Sequence, residues 1–243
     1  MPEGPSIVIL KEEALRFKGK KILEATGNTK KLNPETLTGL KITDLKTWGK
    51  HFLICFPTFT VRIHFLLFGS YLINDQKPTK PRLHLKFKGG EINFYACAIQ
   101  LLEKPLDDIY DWTADIMNKK FDAKQALIKL NDQPKTLVCD AILDQSIFSG
   151  AGNIFKNEVL FRIKVHPKSK LGDLPAAKKR QLIHEVVNYS FDFLKWKKAF
   201  VLRKNWQAHT KRICPRDGTS LTKAYLGKTN RRTFFCKTCQ KLY

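Results

Sequence analysis

The residues best suited to chemistry in this sequence include a cysteine cluster near its C-terminal end. Cys236 and Cys239 have the Cys-x2-Cys spacing of a metal-binding knuckle, and Cys214 begins a second knuckle that has Asp217 where a cysteine is expected. Zinc accepts thiolate and carboxylate ligands, so the first interpretation is one structural Zn2+ held by these four residues. Two alternatives remain open: His209 as the fourth ligand, and a finger-shaped hairpin that packs without metal.

Two further stretches have the composition of phosphate-binding elements. In "SGAGN", the glycines up to Gly152 leave backbone amides accessible, and Asn153 stands at the start of the next helical pattern. A helix N-terminus beside an amide side chain can bind phosphate, although an ordinary capped helix hairpin has the same sequence. In the cysteine-rich module, Arg231 and Arg232 precede two aromatic residues, an arrangement suited to gripping phosphate.

Two candidate positions lie earlier in the chain. Gly49 and Lys50 fall at an expected hairpin tip, where an amine on a rigid strand edge could contact a phosphate or sugar, although most such lysines are ordinary surface residues. Leu66, Leu67 and Phe68 precede a turn glycine. They are either part of the core or an apolar wedge that enters a base stack.

The net charge of the chain indicates which class of partner it binds. The chain has 44 Lys and Arg against 22 Asp and Glu, a net charge of +22, which favours a polyanion such as nucleic acid or an anionic membrane surface. Fourteen of the basic residues and one acid, Asp217, lie in residues 195–243. Aromatic residues are interleaved through that stretch, which indicates a folded basic module.

The candidate residues lie in three regions of the chain that differ in sequence pattern. Six β-type runs between residues 20 and 104 indicate an antiparallel sandwich or barrel after an N-terminal helix. Helical periodicity dominates residues 113–205, and residues 206–243 form the cysteine-containing module. We therefore expect an α+β multidomain protein with domains at 1–112, 113–205 and 206–243.

The start of the chain, "MPEGPS", lacks the basic and apolar regions of a signal peptide, and no apolar run approaches the length of a membrane span. We therefore expect a cytoplasmic protein, in a bacterial cytoplasm or nucleoid-type compartment, with no membrane partner.

Together, "MPEGP", the "GK" hairpin, "LDQ…GAGNIFKNEVLF" and "RRTFFCKTCQ" resemble the formamidopyrimidine-DNA glycosylase / endonuclease VIII family in order and rough spacing. The resemblance implies an N-terminal catalytic β-sandwich, a helix-two-turn-helix domain and a C-terminal zinc-finger-type hairpin. It further implies a base-excision-repair DNA glycosylase with abasic-site lyase activity, acting as a monomer on damaged double-stranded DNA.

The resemblance also assigns roles. Removal of Met1 exposes Pro2 as a secondary amine that attacks C1′ of a damaged nucleotide, while Glu3 handles protons and Lys50 holds the nearby phosphate or sugar. Gly152, Asn153 and Arg231 clamp the backbone, and Leu67, flanked by Leu66 and Phe68, fills the space left by the flipped nucleotide. An α-amino group has a pKa of ~8, low enough for nucleophilic attack near neutral pH.

"MPEGP" and "HFLLFG" look closer to the endonuclease VIII branch, and "FYACAIQLL" lacks the Arg-Arg-Phe-Gly wedge of the purine-specific branch. Oxidised pyrimidines are therefore the favoured substrates. Two departures from the family pattern stand out: Ser6 replaces a glutamate, and Asp217 replaces a zinc-binding cysteine. Ser6 leaves open the alternative of a catalytically weak or inactive damaged-DNA-binding protein on the same scaffold.

Overall fold

The computed structural model describes residues 2–243, which divide into two units at the boundary between Asp111 and Trp112. This boundary falls one residue before the expected end of the first domain. The expected division of the second unit at residues 205/206 stays a prediction. Met1, whose removal the proline chemistry requires, lies outside the described residues.

The first unit begins with helix α1 (Gly4–Ala14), which is followed by two antiparallel four-stranded sheets. One sheet has the strand order β1-β6-β7-β5 and the other β2-β3-β4-β8. The strands are β1 Ile22–Thr26, β2 Asp44–Trp48, β3 His51–Cys55, β4 Thr60–His64, β5 Ser70–Ile73, β6 Leu83–Phe87, β7 Gly90–Tyr95 and β8 Ala98–Leu102. A short helix α2 (Leu106–Ile109) closes the unit.

The core of this unit lies between α1 and the inner faces of the sheets. Ile7 and Leu10 of α1 are buried together with Phe52, Ile63 and Phe94 from the strands. Because successive strand residues point to opposite faces, the alternate residues of β2, β3 and β4 form the outer face of their sheet. The expected N-terminal helix and antiparallel β-sandwich are confirmed.

Two details of the first unit differ from the sequence pattern. The β-type run over residues 91–102 divides into β7 and β8 at Ala96, which has a φ of 49°. Strand β5 was not expected, because its four residues are all half-buried and show no alternation. Its pairing with β7 is a tertiary contact that local sequence does not encode.

The second unit contains four helices and one hairpin: α3 Ala123–Asn131, α4 Val138–Ala141, α5 Asn153–Arg162, α6 Ala176–Lys198, and strands β9 Thr222–Leu226 and β10 Arg231–Phe235. Its core packs α5 against α6 through Phe155, Tyr189 and Phe193. The expected helical region and terminal hairpin are both confirmed. Among the described residues, no helix is long and apolar enough to cross a membrane.

The helical pattern over residues 136–145 gives only one turn, α4. The Asp144 carboxylate accepts hydrogen bonds from the backbone N–H and hydroxyl of Ser146, at 2.9 and 2.7 Å. Aspartate side chains that bond the backbone two residues ahead favour turns over continued helix. The turn brings the chain to the glycine-rich segment before α5.

Candidate active site and nucleic-acid interface

The start of α1 fixes the two residues to which the family resemblance gives chemistry. Glu3 is the N-cap, with an extended backbone and a fully buried side chain, and its carbonyl accepts from the Ser6 N–H at 2.8 Å. Pro5 lies in the first helical turn, where a fixed φ and a missing N–H cost nothing. Pro2 is half-buried and precedes this turn directly. Pro2 therefore directly precedes a fully buried glutamate at the start of the helix.

Lys50 lies at the predicted hairpin tip. Trp48 pairs with His51 across a two-residue loop in which Gly49 has a φ of 51°, a conformation that favours glycine. Helix α1 packs against β2 and β3, the strands that this loop connects. The helix that carries Pro2 and the hairpin that carries Lys50 are thus neighbouring parts of one packed unit.

Beside Lys50, the outer sheet face carries a polar and aromatic cluster that sequence reasoning missed. His51 Nδ1 lies 3.1 Å from the Tyr110 hydroxyl, and the Trp48 ring packs on Tyr110 at 4.8 Å. His64 pairs with His51 across β3 and β4, and Arg62 of the same face bonds Gln100. Period-two alternation along β2, β3 and β4 was the available signal, but it required knowledge of the strand pairing.

The charge state of this cluster follows from burial. Burial first, and then the positive charges of Arg62 and Lys50 and the neighbouring His64, lower the pKa of His51 to about 3. Burial, followed by Lys50 and Arg62, also lowers the pKa of His64. Both imidazoles are therefore neutral near pH 7, and the permanent positive charges of this face come from Lys50 and Arg62.

Leu66, Leu67 and Phe68 project from a tight loop and are not part of the core. Phe68 is 88% exposed, and both leucines are about half exposed. The Gly69 N–H donates to the Phe65 carbonyl at 2.8 Å, and a Cβ at Gly69 would lie 2.2 Å from that oxygen. The loop can close only with glycine at 69. Of the two interpretations of this stretch, its exposure favours the wedge over core packing.

In the second unit, Gly152 is the N-cap of α5 and Asn153 is its first residue. Asn153 Nδ2 donates to the Arg232 carbonyl of β10 at 2.9 Å. Its Oδ1 is buried and has no hydrogen-bond partner in the described part of the chain. The helix start is therefore joined directly to the strand that carries Arg231, and both Arg231 and Arg232 are exposed.

A buried polar network below Asn153 joins α5 to the hairpin. Lys156 is 1% exposed and donates to Thr233 Oγ1 at 2.8 Å. Asn157 Oδ1 accepts from the Phe234 N–H at 3.1 Å, and its Nδ2 lies 2.8 Å from His209 Nδ1. His209 is thus engaged by α5, and burial together with Arg232 and Lys156 lowers its pKa to about 4.

Glu158, the next residue of α5, is fully buried and accepts three backbone N–H groups. Its oxygens lie 2.9, 2.9 and 2.7 Å from the nitrogens of Gln207, Ala208 and His209. Burial raises the pKa of Glu158, while these three hydrogen bonds oppose that shift. Glu158 therefore holds residues 207–209, at the start of the cysteine-containing module.

The tip of the β9–β10 hairpin is anchored by Asp140 of α4. Its carboxylate accepts the Lys228 N–H at 3.0 and 3.1 Å, and a Cβ at Gly227 would lie 2.1 Å from the same group. Glycine is therefore required at 227. The anchored tip directly precedes Arg231, so Asp140 helps to place that arginine.

Cys214, Asp217, Cys236 and Cys239 come together at the base of the hairpin, with one ligand atom from each lying within 4.8 Å of the others. Two thiolates on one tetrahedral zinc, at ~2.3 Å each, lie ~3.8 Å apart, which is the distance between Cys214 Sγ and Cys239 Sγ of 3.8 Å. The donor set and its spacing fit a zinc ion. His209 lies outside this cluster and bonds Asn157 instead.

Neighbouring groups prepare the cluster for a cation. Hydrogen bonds from the Thr219 hydroxyl and backbone N–H, at 2.7 and 3.0 Å, lower the pKa of Asp217. Arg216 donates to Cys239 Sγ at 3.3 Å, and its guanidinium lies over the Phe161 ring at 3.9 Å. Asp217 is therefore ionised and supplies negative charge to a bound cation, while Arg216 hydrogen-bonds the Cys239 sulfur.

The chain matches two models of one family. The formamidopyrimidine-DNA glycosylase N-terminal domain matches residues 1–97, and the formamidopyrimidine-DNA glycosylase H2TH domain matches residues 111–191. The chain is 31% identical to endonuclease 8-like 3 of Xenopus laevis over 85% of its own length and 36% of that protein. It is 28% identical to endonuclease 8-like 2 of Mus musculus over 99% of its own length and 96% of that protein.

The fold agrees with these matches. The structure of a Lactococcus lactis formamidopyrimidine-DNA glycosylase bound to DNA with an abasic site superposes with a TM-score of 0.85 at 22% identity, covering 98% of this chain and 99% of that one. The chain spans about a third of the frog relative's length. It belongs to the formamidopyrimidine-DNA glycosylase / endonuclease VIII family, on the endonuclease VIII-like branch. Members of this family are DNA glycosylases, enzymes of base excision repair.

Proposed function

We propose that this chain is a base-excision-repair DNA glycosylase with abasic-site lyase activity, which acts through an imine formed on Pro2. The observation that carries the proposal is the fully buried Glu3, which directly follows Pro2 in the chain at the head of α1. A carboxyl group beside a secondary amine provides a proton donor and a nucleophile in adjacent positions.

The proposed reaction follows from these two groups. The Pro2 nitrogen attacks C1′ of the damaged nucleotide and displaces the base, whose departure Glu3 assists by protonating the base or the sugar ring oxygen. Cleavage of the bond between C1′ and the protonated ring oxygen then gives an iminium, which acidifies the C2′ proton, and loss of that proton expels the 3′ phosphate by β-elimination. A δ-elimination expels the 5′ phosphate, and water hydrolyses the remaining iminium to release the sugar fragment and restore the Pro2 amine.

Damaged double-stranded DNA is the proposed partner. Lys50 holds a phosphate or sugar near the reacting carbon, and Gly152, Asn153 and Arg231 hold the backbone beside the lesion. Asn153 and Arg231 suit a shared role because the Asn153–Arg232 hydrogen bond ties their elements together. The exposed loop of Leu66, Leu67 and Phe68 would fill the space that the extruded nucleotide leaves.

Oxidised pyrimidines are the proposed substrates, since "MPEGP" and "HFLLFG" follow the endonuclease VIII pattern and the arginine-containing wedge of the purine-specific branch is absent from "FYACAIQLL". For the metal, we propose a structural zinc on the Cys214 cluster, supported by the spacing of its donor atoms. Elemental analysis of protein purified without added metal should give about one zinc per chain. A substoichiometric value in freshly purified protein would favour the metal-free hairpin.

The experiment that tests the proposed activity is borohydride trapping on a duplex with one abasic site, using protein shown by intact mass to begin at Pro2. A covalent protein–DNA adduct is expected, and it should be lost in Pro2→Gly while duplex affinity stays within about twofold. Equal losses of adduct and affinity would make Pro2 a structural residue.

A second candidate is a damaged-DNA-binding protein that has lost its chemistry. It is favoured by Ser6, a buried hydroxyl where the family pattern has a glutamate. This candidate predicts tight binding to the abasic duplex without any adduct from protein that begins at Pro2.

A further inference from the structure

Phe200, which lies just after α6, has an exposed aromatic side chain on a strained backbone. Phe200 is 96% exposed and has a φ of 59°, in the left-handed region that disfavours residues with a Cβ. The Phe200 N–H donates to the Lys197 carbonyl and the Val201 N–H to the Trp196 carbonyl, the pattern of a helix end that usually carries glycine. The Phe200 ring therefore contributes no packing to the fold, and glycine at this position would make the folded state more stable.

The surroundings of Phe200 are strongly cationic. No acidic residue occurs between Phe193 and Arg216. Lysines in the last turn of a helix complement its dipole, but two of the cations lie beyond the helix end. The exposed cations nearest to Phe200 in sequence are Lys195, Lys197, Lys198, Arg203 and Lys204. A flat aromatic ring among positive charges suits a partner that combines π faces with phosphates, which is a nucleic acid.

Phe200 also lies within reach of the proposed backbone clamp in the same unit. Trp206 packs on His209 at 4.7 Å, and His209 bonds Asn157, one helical turn after Asn153. Six residues separate Phe200 from Trp206, which limits that distance to ~20 Å. At ~3.4 Å per base step, this corresponds to about six base pairs, so one bound duplex is long enough to reach both Phe200 and the Trp206–His209 contact beside α5.

We propose that Phe200 stacks on a nucleobase of the bound DNA, as a specificity contact separate from the Leu66–Phe68 loop. This inference rests on the proposed DNA partner but not on the imine chemistry. The ring is 96% exposed, and the charged residues nearest to it in sequence are all basic, which suits the face of a single exposed base. Stacking of the ring on a base would offset the backbone strain at Phe200, and it does so only when DNA is bound.

The decisive variant is Phe200→Gly, because glycine suits the left-handed backbone. Its melting temperature should rise by about 3 °C, so weaker binding cannot be attributed to misfolding. Affinity for a duplex with a reduced abasic site should fall about tenfold, and Phe200→Trp should retain the wild-type affinity. Phe191→Ala is the control, since Phe191 is an exposed aromatic residue within α6, at 54% exposure, and this variant should bind as wild type does.

The probe for stacking is 2-aminopurine, placed in turn at each of six positions around the abasic site on both strands. Wild type and Phe200→Trp should change the fluorescence at one position, and Phe200→Gly should not. Identical fluorescence and affinity in wild type and Phe200→Gly would overturn the inference, whatever the trapping result. A Phe200-dependent signal in a protein that forms no borohydride adduct would support the inference and refute the proposed lyase.

Discussion

The two candidate sites are built in different ways. At the head of α1, Pro2 and Glu3 are sequence neighbours, and the N-cap position of Glu3 fixes the backbone that joins them. In the second unit, Asn153 and Arg231 are far apart in sequence and are joined through a buried polar network between α5 and β10. The adjacency of Pro2 and Glu3 thus follows from the chain itself, whereas that of Asn153 and Arg231 depends on tertiary structure.

This difference has consequences for mutation. A buried polar network loses most when one member is removed, because the remaining donors or acceptors stay buried without partners. A local site can lose a functional group while the surrounding fold keeps its shape. Substitutions at α1 should therefore affect chemistry and spare binding, whereas substitutions in the α5 network should affect stability and binding together.

The largest effect is expected from Glu3→Gln. The amide keeps the shape of the buried side chain but cannot deliver a proton to the leaving base or the sugar. General acid–base groups contribute ~100- to 10,000-fold, so the single-turnover excision rate should fall by at least about 100-fold. Single-turnover kinetics with an oxidised-pyrimidine duplex measure this rate, and duplex affinity should stay within about twofold of wild type.

Glu12→Gln is the matched control, because it makes the same change at an exposed position of α1. It should excise at the wild-type rate. If Glu3→Gln also excised within about threefold of wild type, Glu3 would be a structural cap and the contrast between the two sites would fail on the catalytic side.

Sequence alone was sufficient for the parts of the fold that depend on local pattern. The periodicity of α6 and the start of α5 at Asn153 both follow from residues close together in the chain. Strand β5 and the break at Ala96 depend on pairing with distant strands, so no local pattern marked them.

The candidate sites divide in the same way. Lys50 and the cysteine cluster were singled out from residue type and spacing, and Pro2 and Glu3 from the family resemblance. The supporting residues were not, because Asn157 and Glu158 look like the solvent-facing side of an ordinary helix until β10 and residues 207–209 pack on them. A polar residue that is buried by tertiary contacts cannot be distinguished in the sequence from one that is exposed.

Glu158→Gln should have a smaller effect, and it should lower both the stability of the protein and its affinity for DNA. The carboxylate accepts three backbone N–H groups, and an amide in its place presents an NH2 group to one or more of them. Leaving one such donor buried and unpaired costs about 1–3 kcal/mol. Thermal unfolding should show this loss of stability. The affinity should fall by a similar factor for intact, abasic and lesion-containing duplexes, because the network positions residues that contact the DNA backbone and none that contacts a base.

Asp173→Asn removes the same charge at an exposed position of the second unit and should leave both the melting temperature and the affinity unchanged. The diagnostic comparison is the borohydride adduct measured at saturating DNA, where weaker binding no longer limits the yield. If the two sites are built independently, Glu158→Gln should form adduct at the wild-type rate under these conditions. A slower rate at saturation would mean that the α5 network also positions the reacting nucleotide, and the division between a local chemical site and a tertiary gripping site would have to be abandoned.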